Sequence, residues 1–509
     1  ILTSLIFVII KLDYKATKEA LMDKILIGKG KSENYILLNK INRHGLISGA
    51  TGTGKTVTLK ILTEGLSDAG VPSILADVKG DLVNISKPGE MNDNLRSRLD
   101  ELGLVDFDFK PYPLNLWDVY QEGGIPLRVT ISEMGPLMLS NILDLNDTQM
   151  GVLNIIFRVA DSEGLLLIDL KDLNEVINYV GNNREEVSKN YGNVASQSLS
   201  AISRKLLFLE DAGGDLFFGE PAIDINDFIK TDSNGKGLVN ILKADKLITN
   251  PLLYSMLLLY LLSEIYENFP EVGDLEKPKL VFFFDEAHLL FKNTPNVLKE
   301  KIIQVVRLVR SKGVGVFFIT QNPLDIPEEV SSQLSNRIIH QLRAYSPKEL
   351  KTIKSVADSF RQDESMDLKE EIINLRTGEA IVSFPDEAGA PSFADKALIL
   401  PPHSSFSSLG DMEIKSLVEG SSLYSKYKAS IDRESAYEIL KERIEREKVD
   451  KAREEEYELR KKELEKERKS SRQQKSYIDK GIDSMLGTIT RSIGREIARG
   501  ILGSMKKKR

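Results

Sequence analysis

The chain contains no cysteine, so disulfides, thiolate metal sites and cysteine nucleophiles are excluded. Histidine is scarce as well: His44, His288, His340 and His403 are scattered along the sequence, a distribution that argues against a zinc site. The N-terminal run Ile1 to Ile10 is nearly all apolar, yet it falls well short of the roughly 20 residues that span a bilayer. No basic segment precedes it and no clear small-residue cleavage site follows it, which argues against a secretory signal. The chain does not open with Met, and Met22 begins a strand-like run to Gly28. Residues 1–21 therefore read as upstream read-through in preference to a truncated anchor, and the body as cytoplasmic. Overall basic charge is also missing. The net charge is −7; residues 470–509 hold ten Lys or Arg against Asp479, Asp483 and Glu496, or +7, which leaves −14 for residues 1–469. Bulk charge gives no support to a nucleic-acid role, and any anion-binding surface has to be local.

What the chain does have is Gly49-Ala50-Thr51-Gly52-Thr53-Gly54-Lys55-Thr56, which fits the phosphate-loop pattern G-x-x-x-x-G-K-[ST] without a departure. His44 to Ser48 reads as a short buried strand entering the loop, and Val57 to Ala69 as an amphipathic helix leaving it. Glycines let the backbone approach phosphates with its N–H groups turned inward, and the helix N-terminus adds positive potential. Lys55 is the expected partner of the β- and γ-phosphates and the Thr56 hydroxyl a ligand of Mg²⁺. Gly49, Ala50, Thr51, Gly52, Thr53, Gly54, Lys55, Thr56 and Val57 form the expected nucleotide-binding set, with ATP and Mg²⁺ as cofactors.

Leu280 to Phe284 is a fully apolar strand that ends in Asp285-Glu286. A strand buried on both faces and delivering carboxylates at its C-terminal end is what a parallel sheet supplies to a nucleotide site. Asp285 is placed to hold Mg²⁺ and Glu286 to activate the attacking water, which points to hydrolysis. Val314 to Thr320 is a further buried strand, and Gln321 at its exit is the candidate γ-phosphate sensor, against the plainer reading of an amide capping a strand end. The helix from Lys299 to Lys312 carries Arg307 and Arg310. A guanidinium suits charge developing on a transferring phosphoryl group, with Arg310 the favoured residue, acting on a neighbouring subunit's site; a solvated basic helix face is the alternative. Asp77, ending the strand Ser73 to Asp77, reads equally as a Mg²⁺-supporting carboxylate or a turn cap.

The chain from Val57 to Phe284 is far longer than a few βα units need. Helical periodicity such as Met138-Leu139…Ile142-Leu143 and Leu153…Ile156-Phe157…Ala160 assigns the excess to a mostly helical insertion. The organisation read from the sequence is an apolar extension over 1–21, a nucleotide-binding core over 22–131 and 236–405, and the insertion over 132–235. A linker with a charged helix over 406–469 and a basic amphipathic helix over 470–509 follow. Residues 378–384 and 397–402 read as strands completing the sheet edge, and the Ser-rich 404–408 as the start of the linker. In the last segment Ile478, Ile482, Leu486, Ile489, Ile493, Ile497 and Ile501 make one apolar stripe beside Arg491, Arg495 and Arg499. Three fates compete for it: docking onto the protein body or a partner, lying on an anionic membrane surface, or contacting nucleic-acid phosphates.

The phrases GATGTGKT, VFFFDEAH and RSKGVGVFFITQNP, with LNDTQMGVLNIIFRVAD, GLLLIDLKDL and FFGEPAID in the insertion, resemble the bacterial HerA-like ATPases of the YjgR group. The resemblance runs from about Lys24 to the C-terminus. It implies an α/β fold with a RecA-like core and mainly parallel sheet, a hexameric ring as homo-oligomer, a trans-acting arginine at Arg310, a polar sensor at Gln321, and translocation along duplex DNA. HerA itself carries an N-terminal β-barrel, whereas here about 25 residues separate Met22 from the phosphate-loop strand, so partnership with an end-resection nuclease is not carried over. An ATP-gated protein or membrane scaffold without a nucleic-acid substrate is the alternative from another class. A nucleotide kinase comes third, because no acceptor site is recognisable.

Overall fold

The computed structural model describes residues 23–471 except 274, 293–295 and 364–365. Twelve strands join in one sheet. In chain order they are β1 (Lys24–Lys29), β2 (Glu33–Leu37), β3 (Gly45–Ser48), β4 (Ser73–Asp77), β5 (Leu114–Asp118), β6 (Ile125–Pro126) and β7 (Val239–Lys243). β8 (Leu280–Phe284), β9 (Val314–Thr320), β10 (Asn336–His340), β11 (Glu379–Ser383) and β12 (Asp395–Ile399) complete it. Across the sheet the order is β2-β1-β12-β11-β10-β3-β9-β8-β4-β7-β5-β6. From β10 to β6 all neighbours are parallel, and the four strands on the other side are antiparallel. The fold is α/β with a mainly parallel sheet, as the apolar runs predict.

The centre is apolar because it is covered on both faces. β8 and β9 are buried along their whole length, and their rings meet across the ladder, Phe283 with Phe317 and Phe284 with Phe318, each pair at 5.4 Å. Each buried Phe contributes roughly 2–3 kcal/mol of burial energy. Non-local parallel pairing places the exits of β3, β4, β8 and β9 along one edge, although long connections separate them in sequence.

The insertion is helical, as its periodicity predicts: Ile131–Ile142, Asp147–Glu163, Leu170–Asn182, Arg184–Tyr191 and Ser196–Asp211. Three of these helices begin with reciprocal caps, Thr130 with Glu133, Asn146 with Gln149 and Asp169 with Asp172. Leu153, Ile156, Phe157 and Ala160 point into the core as expected.

Two expectations are corrected. β11 and β12 do not complete the sheet edge: β12 is covered by β1, where Gly28 pairs with Ile399, and β2 covers β1 in turn. The strand read from Met22 to Gly28 supplies that cover, and its partner lies too far along the chain to be seen in a local pattern. The Ser-rich stretch after Pro402 does not begin the linker as a free segment either: residues 404 and 405 are buried and 406–408 are exposed. Ser404 is 1% exposed and donates through its hydroxyl to Glu64, while Lys60 donates to the Ser405 carbonyl. Further along, Ser421 bonds Asn115 at 2.8 Å and the Tyr427 hydroxyl bonds buried Asp227 at 2.5 Å. Residues 403–427 thus strap the phosphate-loop helix to β5 and the segment preceding β7.

From Glu438 onward the chain forms a separate unit. The helix Ala436–Ser471 is laced by local ion pairs such as Arg446–Glu442 and Lys461–Glu458, and its Val449, Tyr457 and Leu459 are exposed. That fits a solvated charged helix better than a coiled-coil seam. Residues 1–21 and the amphipathic segment from Ile478 lie outside the described residues.

Candidate functional site

Five elements converge on the C-terminal edge of the parallel strands. The phosphate loop leaves β3, Asp77 ends β4, Asp285-Glu286 follow β8, Gln321 follows β9 and Gln341 follows β10. In open α/β sheets this is the edge where ligands bind.

The loop is held from behind by β10. The amide of Ala50 donates to the Gln341 carbonyl at 2.8 Å, and the amide of Gly378 donates to the Thr53 carbonyl at 3.0 Å. His340, fully buried, sits against the glycines: a Cβ on Gly49 would lie 2.5 Å from the His340 Cβ, and Gly54 has φ 122°, open to glycine and strained for other residues. His340 Nε2 meets the Thr58 hydroxyl at 2.9 Å and Nδ1 meets the Glu379 carbonyl at 3.0 Å, so one imidazole ties the helix Lys55–Asp68 to β10 and β11. Lys55 Nζ donates to the Gly49 carbonyl at 2.6 Å and to the Ala50 carbonyl at 3.1 Å. Burial lowers the Lys55 pKa, and the nearby Glu286 carboxylate works against that shift.

Glu286 stands in the left-handed region with φ 48°. A non-glycine residue held there stores strain, and such strain clusters where a side chain must be aimed. Its Oε1 accepts from Gln321 Nε2 at 3.4 Å and faces Lys79 Nζ at 3.4 Å. Its Oε2 is buried without a hydrogen-bond partner, with His288 Nδ1 3.4 Å away. Gln321 in turn accepts from the Thr51 hydroxyl at 3.3 Å, so the amide bridges the phosphate loop and Glu286. Burial and the charge of Glu286 push Asp285 up to about 6, and its Oδ1 accepts from the Glu286 amide at 2.9 Å.

The oxygens present fit Mg²⁺. The Thr56 hydroxyl makes no hydrogen bond among the described residues, and Asp285 keeps Oδ2 outside its bond to the Glu286 amide. Among the described residues no cluster of three or more His, Asp or Glu is placed to hold a metal.

For Asp77 the geometry favours the turn reading. Both its oxygens are used, accepting from the amides of Lys79, Gly80 and Leu82 at 3.2, 2.8 and 2.9 Å. The turn it caps presents Lys79 to Glu286. Lys79 was not singled out from the sequence, although the loop Asp77-Val78-Lys79-Gly80-Asp81 carries it; burial works against its charge, but Asp285 and Glu286 outweigh this and raise its pKa. Tyr254 is a second residue missed: its buried hydroxyl has no partner and lies within electrostatic reach of Asp285 and Glu286.

Arg310 is not brought to this site. It precedes β9, whereas Gln321 follows it, and seven residues of strand separate the two ends by about 23 Å. The guanidinium is exposed and makes no hydrogen bond or ion pair among the described residues. Arg307 reaches the Glu329 carbonyl at 3.3 Å instead.

Burial lowers the pKa of both His340 and His44 to about 4 from 6.5, and the Val316 amide donates to His44 Nδ1 at 3.1 Å. Because the unfolded chain takes up these protons first, stability present above pH 6.5 is lost as pH falls towards 4, by about 3 kcal/mol per histidine. The melting temperature of the wild type is therefore expected to fall relative to that of His340→Gln as pH drops from 6.5 towards 4, a difference that cancels the opposing contribution of Asp285, whose raised pKa favours the folded state over the same window. A difference between wild type and His340→Gln that does not change with pH there would show that the His340 imidazole is not held neutral.

Residues 23–509 match the family described as Helicase HerA-like C-terminal. The chain belongs to this family. Among HerA relatives, the DNA double-strand break repair helicase HerA of Sulfolobus acidocaldarius is 26% identical over 371 residues, covering 70% of this chain and 66% of that protein. The helicase HerA of Sulfurisphaera tokodaii is 25% identical over 359 residues, covering 69% and 64%. The chain thus spans just under two thirds of the length of these HerA proteins. In structure it is similar to the bacterial conjugative coupling protein TrwBdeltaN70 in its sulphate-bound trigonal form, with TM-score 0.51 and 15% identity, covering 76% of this chain and 96% of that one. That likeness bears on fold alone: an α/β core with a mainly parallel sheet.

Proposed function

We propose that this HerA-like chain is a Mg²⁺-dependent ATP hydrolase that assembles into a ring and drives movement along duplex DNA. The observation that carries the chemistry is Glu286: one carboxylate oxygen is steadied by Gln321 and Lys79, and the other is buried and unpaired on the same sheet edge as the phosphate loop. An unpaired carboxylate oxygen is available to take a proton from an attacking water.

In this reading the amides of residues 49–56 and Lys55 hold the phosphates, and Thr56 and Asp285 hold Mg²⁺, which neutralises charge on the phosphate oxygens when bound. Gln321, touching both Thr51 and Glu286, reports γ-phosphate loss from the loop to the base. Arg310, too far from its own site, acts on a neighbour's, which makes the oligomer a requirement for turnover. That the HerA relatives are DNA double-strand break repair helicases supports DNA as the substrate. Among the described residues no helix is long and apolar enough to cross a membrane. The test is ATP turnover by the full chain as duplex DNA is added at low salt, where counterion release favours binding.

A further inference from the structure

One exposed stretch of this net-acidic body is locally basic. Residues 341–356 carry Arg343, Lys348, Lys351 and Lys354 against a single acid, Glu349. All four cations are exposed, and none forms an ion pair among the described residues. Glu349 is turned to the Tyr345 amide at 2.8 Å and the Ser346 hydroxyl at 3.0 Å and forms an ion pair with none of the four cations, so the stretch keeps a net charge of about +3. Asp325, on a segment packed near the same helix, accepts from Asn322 at 3.3 Å. The helix Pro347–Asp358 buries Ile353, Val356 and Ala357, and its three lysines recur at three-residue spacing on the surface left over. At the head of this row Tyr345 is 84% exposed, with Leu350 53% exposed beside it.

The stretch is also wired to the nucleotide site. It begins at Gln341, whose carbonyl accepts from the phosphate-loop amide of Ala50, one residue after His340, which is bonded to Thr58. A shift of the loop on turnover therefore pulls directly on the base of the segment.

We propose that residues 343–354 grip a nucleic-acid strand, the cations taking its phosphates and Tyr345 stacking on a base or sugar, and that the grip follows the phosphate loop through His340 and Gln341. Ammonium groups release counterions from phosphates and an exposed ring offers a stacking face. The proposal rests on the reading of the chain as a nucleic-acid-driven ATPase.

The test measures binding of labelled duplex and single-stranded DNA to the full chain from about 50 to about 200 mM salt, together with DNA-stimulated ATP turnover. The triple variant Arg343→Ala/Lys348→Ala/Lys351→Ala is expected to bind at least about tenfold more weakly and to lower the slope of log affinity against log salt by about 2–3. Lys348→Arg/Lys351→Arg, which keeps charge, is expected to retain binding and checks that folding is not the cause. Tyr345→Ala is expected to weaken single-stranded DNA more than duplex. A triple variant that binds and responds like wild type overturns the proposal and leaves the ATPase reading standing. Wild type that binds neither DNA overturns both. Loss of binding to phosphatidylserine vesicles with DNA binding unchanged would assign the surface to membranes and also overturn the proposal.

Discussion

Glu286→Gln is expected to lower ATP turnover by about 10²- to 10⁴-fold while nucleotide affinity stays within a few-fold of wild type. The amide preserves shape and the contact with Gln321, so the phosphate loop keeps its surroundings. What it removes is the buried, unpaired oxygen Oε2 as a proton acceptor. It also removes the negative charge that Lys79 faces at 3.4 Å. Steady-state turnover and binding of a fluorescent ATP analogue separate the two effects. A variant that hydrolyses ATP at the wild-type rate would show that Glu286 is not the base.

Arg310→Ala is expected to lower turnover by about 10³-fold or more, the range in which a guanidinium acts on a transferring phosphoryl group. No change in the variant's own site should accompany this, because Arg310 sits at the opposite end of β9 from Gln321. The decisive form of the experiment co-expresses wild type and variant in varied ratios. If each site borrows its arginine from a neighbour, activity falls in a pattern set by mixed pairs: Arg310→Ala subunits retain intact Lys55 and Glu286 and regain turnover beside a Glu286→Gln subunit that still carries Arg310. If the doubly mixed oligomer shows no turnover above either variant alone, the arginine does not act across subunits.

The parts of this site that were legible in the sequence are those carried by short contiguous patterns. Gly49 to Thr56 and the run ending in Asp285-Glu286 each combine a buried strand with the candidate residues at its exit, so local sequence alone was enough to single them out. Gln321 was legible for the same reason, and the structure places it between Thr51 and Glu286. Lys79 and His340 were not. Each acts through a partner far along the chain, Glu286 for one and Thr58 for the other, and nothing in their own neighbourhoods announces that pairing. The same physics explains the misread margins of the fold. β1 finds its partner β12 only after the whole core has intervened. Serine-rich composition after Pro402 suggests a linker, but the polar groups of Lys60 and Glu64 on the phosphate-loop helix need partners when buried, and Ser404 and Ser405 supply them.

The central claim is that hydrolysis at the Lys55–Glu286 site is driven by nucleic acid. The most direct measurement is ATP turnover by the purified full chain with Mg²⁺, titrated with duplex DNA at low salt and repeated at high salt. The account predicts that DNA raises turnover and that the stimulation is lost as salt rises, since phosphate contacts release counterions. Ordinary basal turnover that duplex DNA leaves unchanged at low salt would contradict it and turn the site into that of an ATP-gated scaffold.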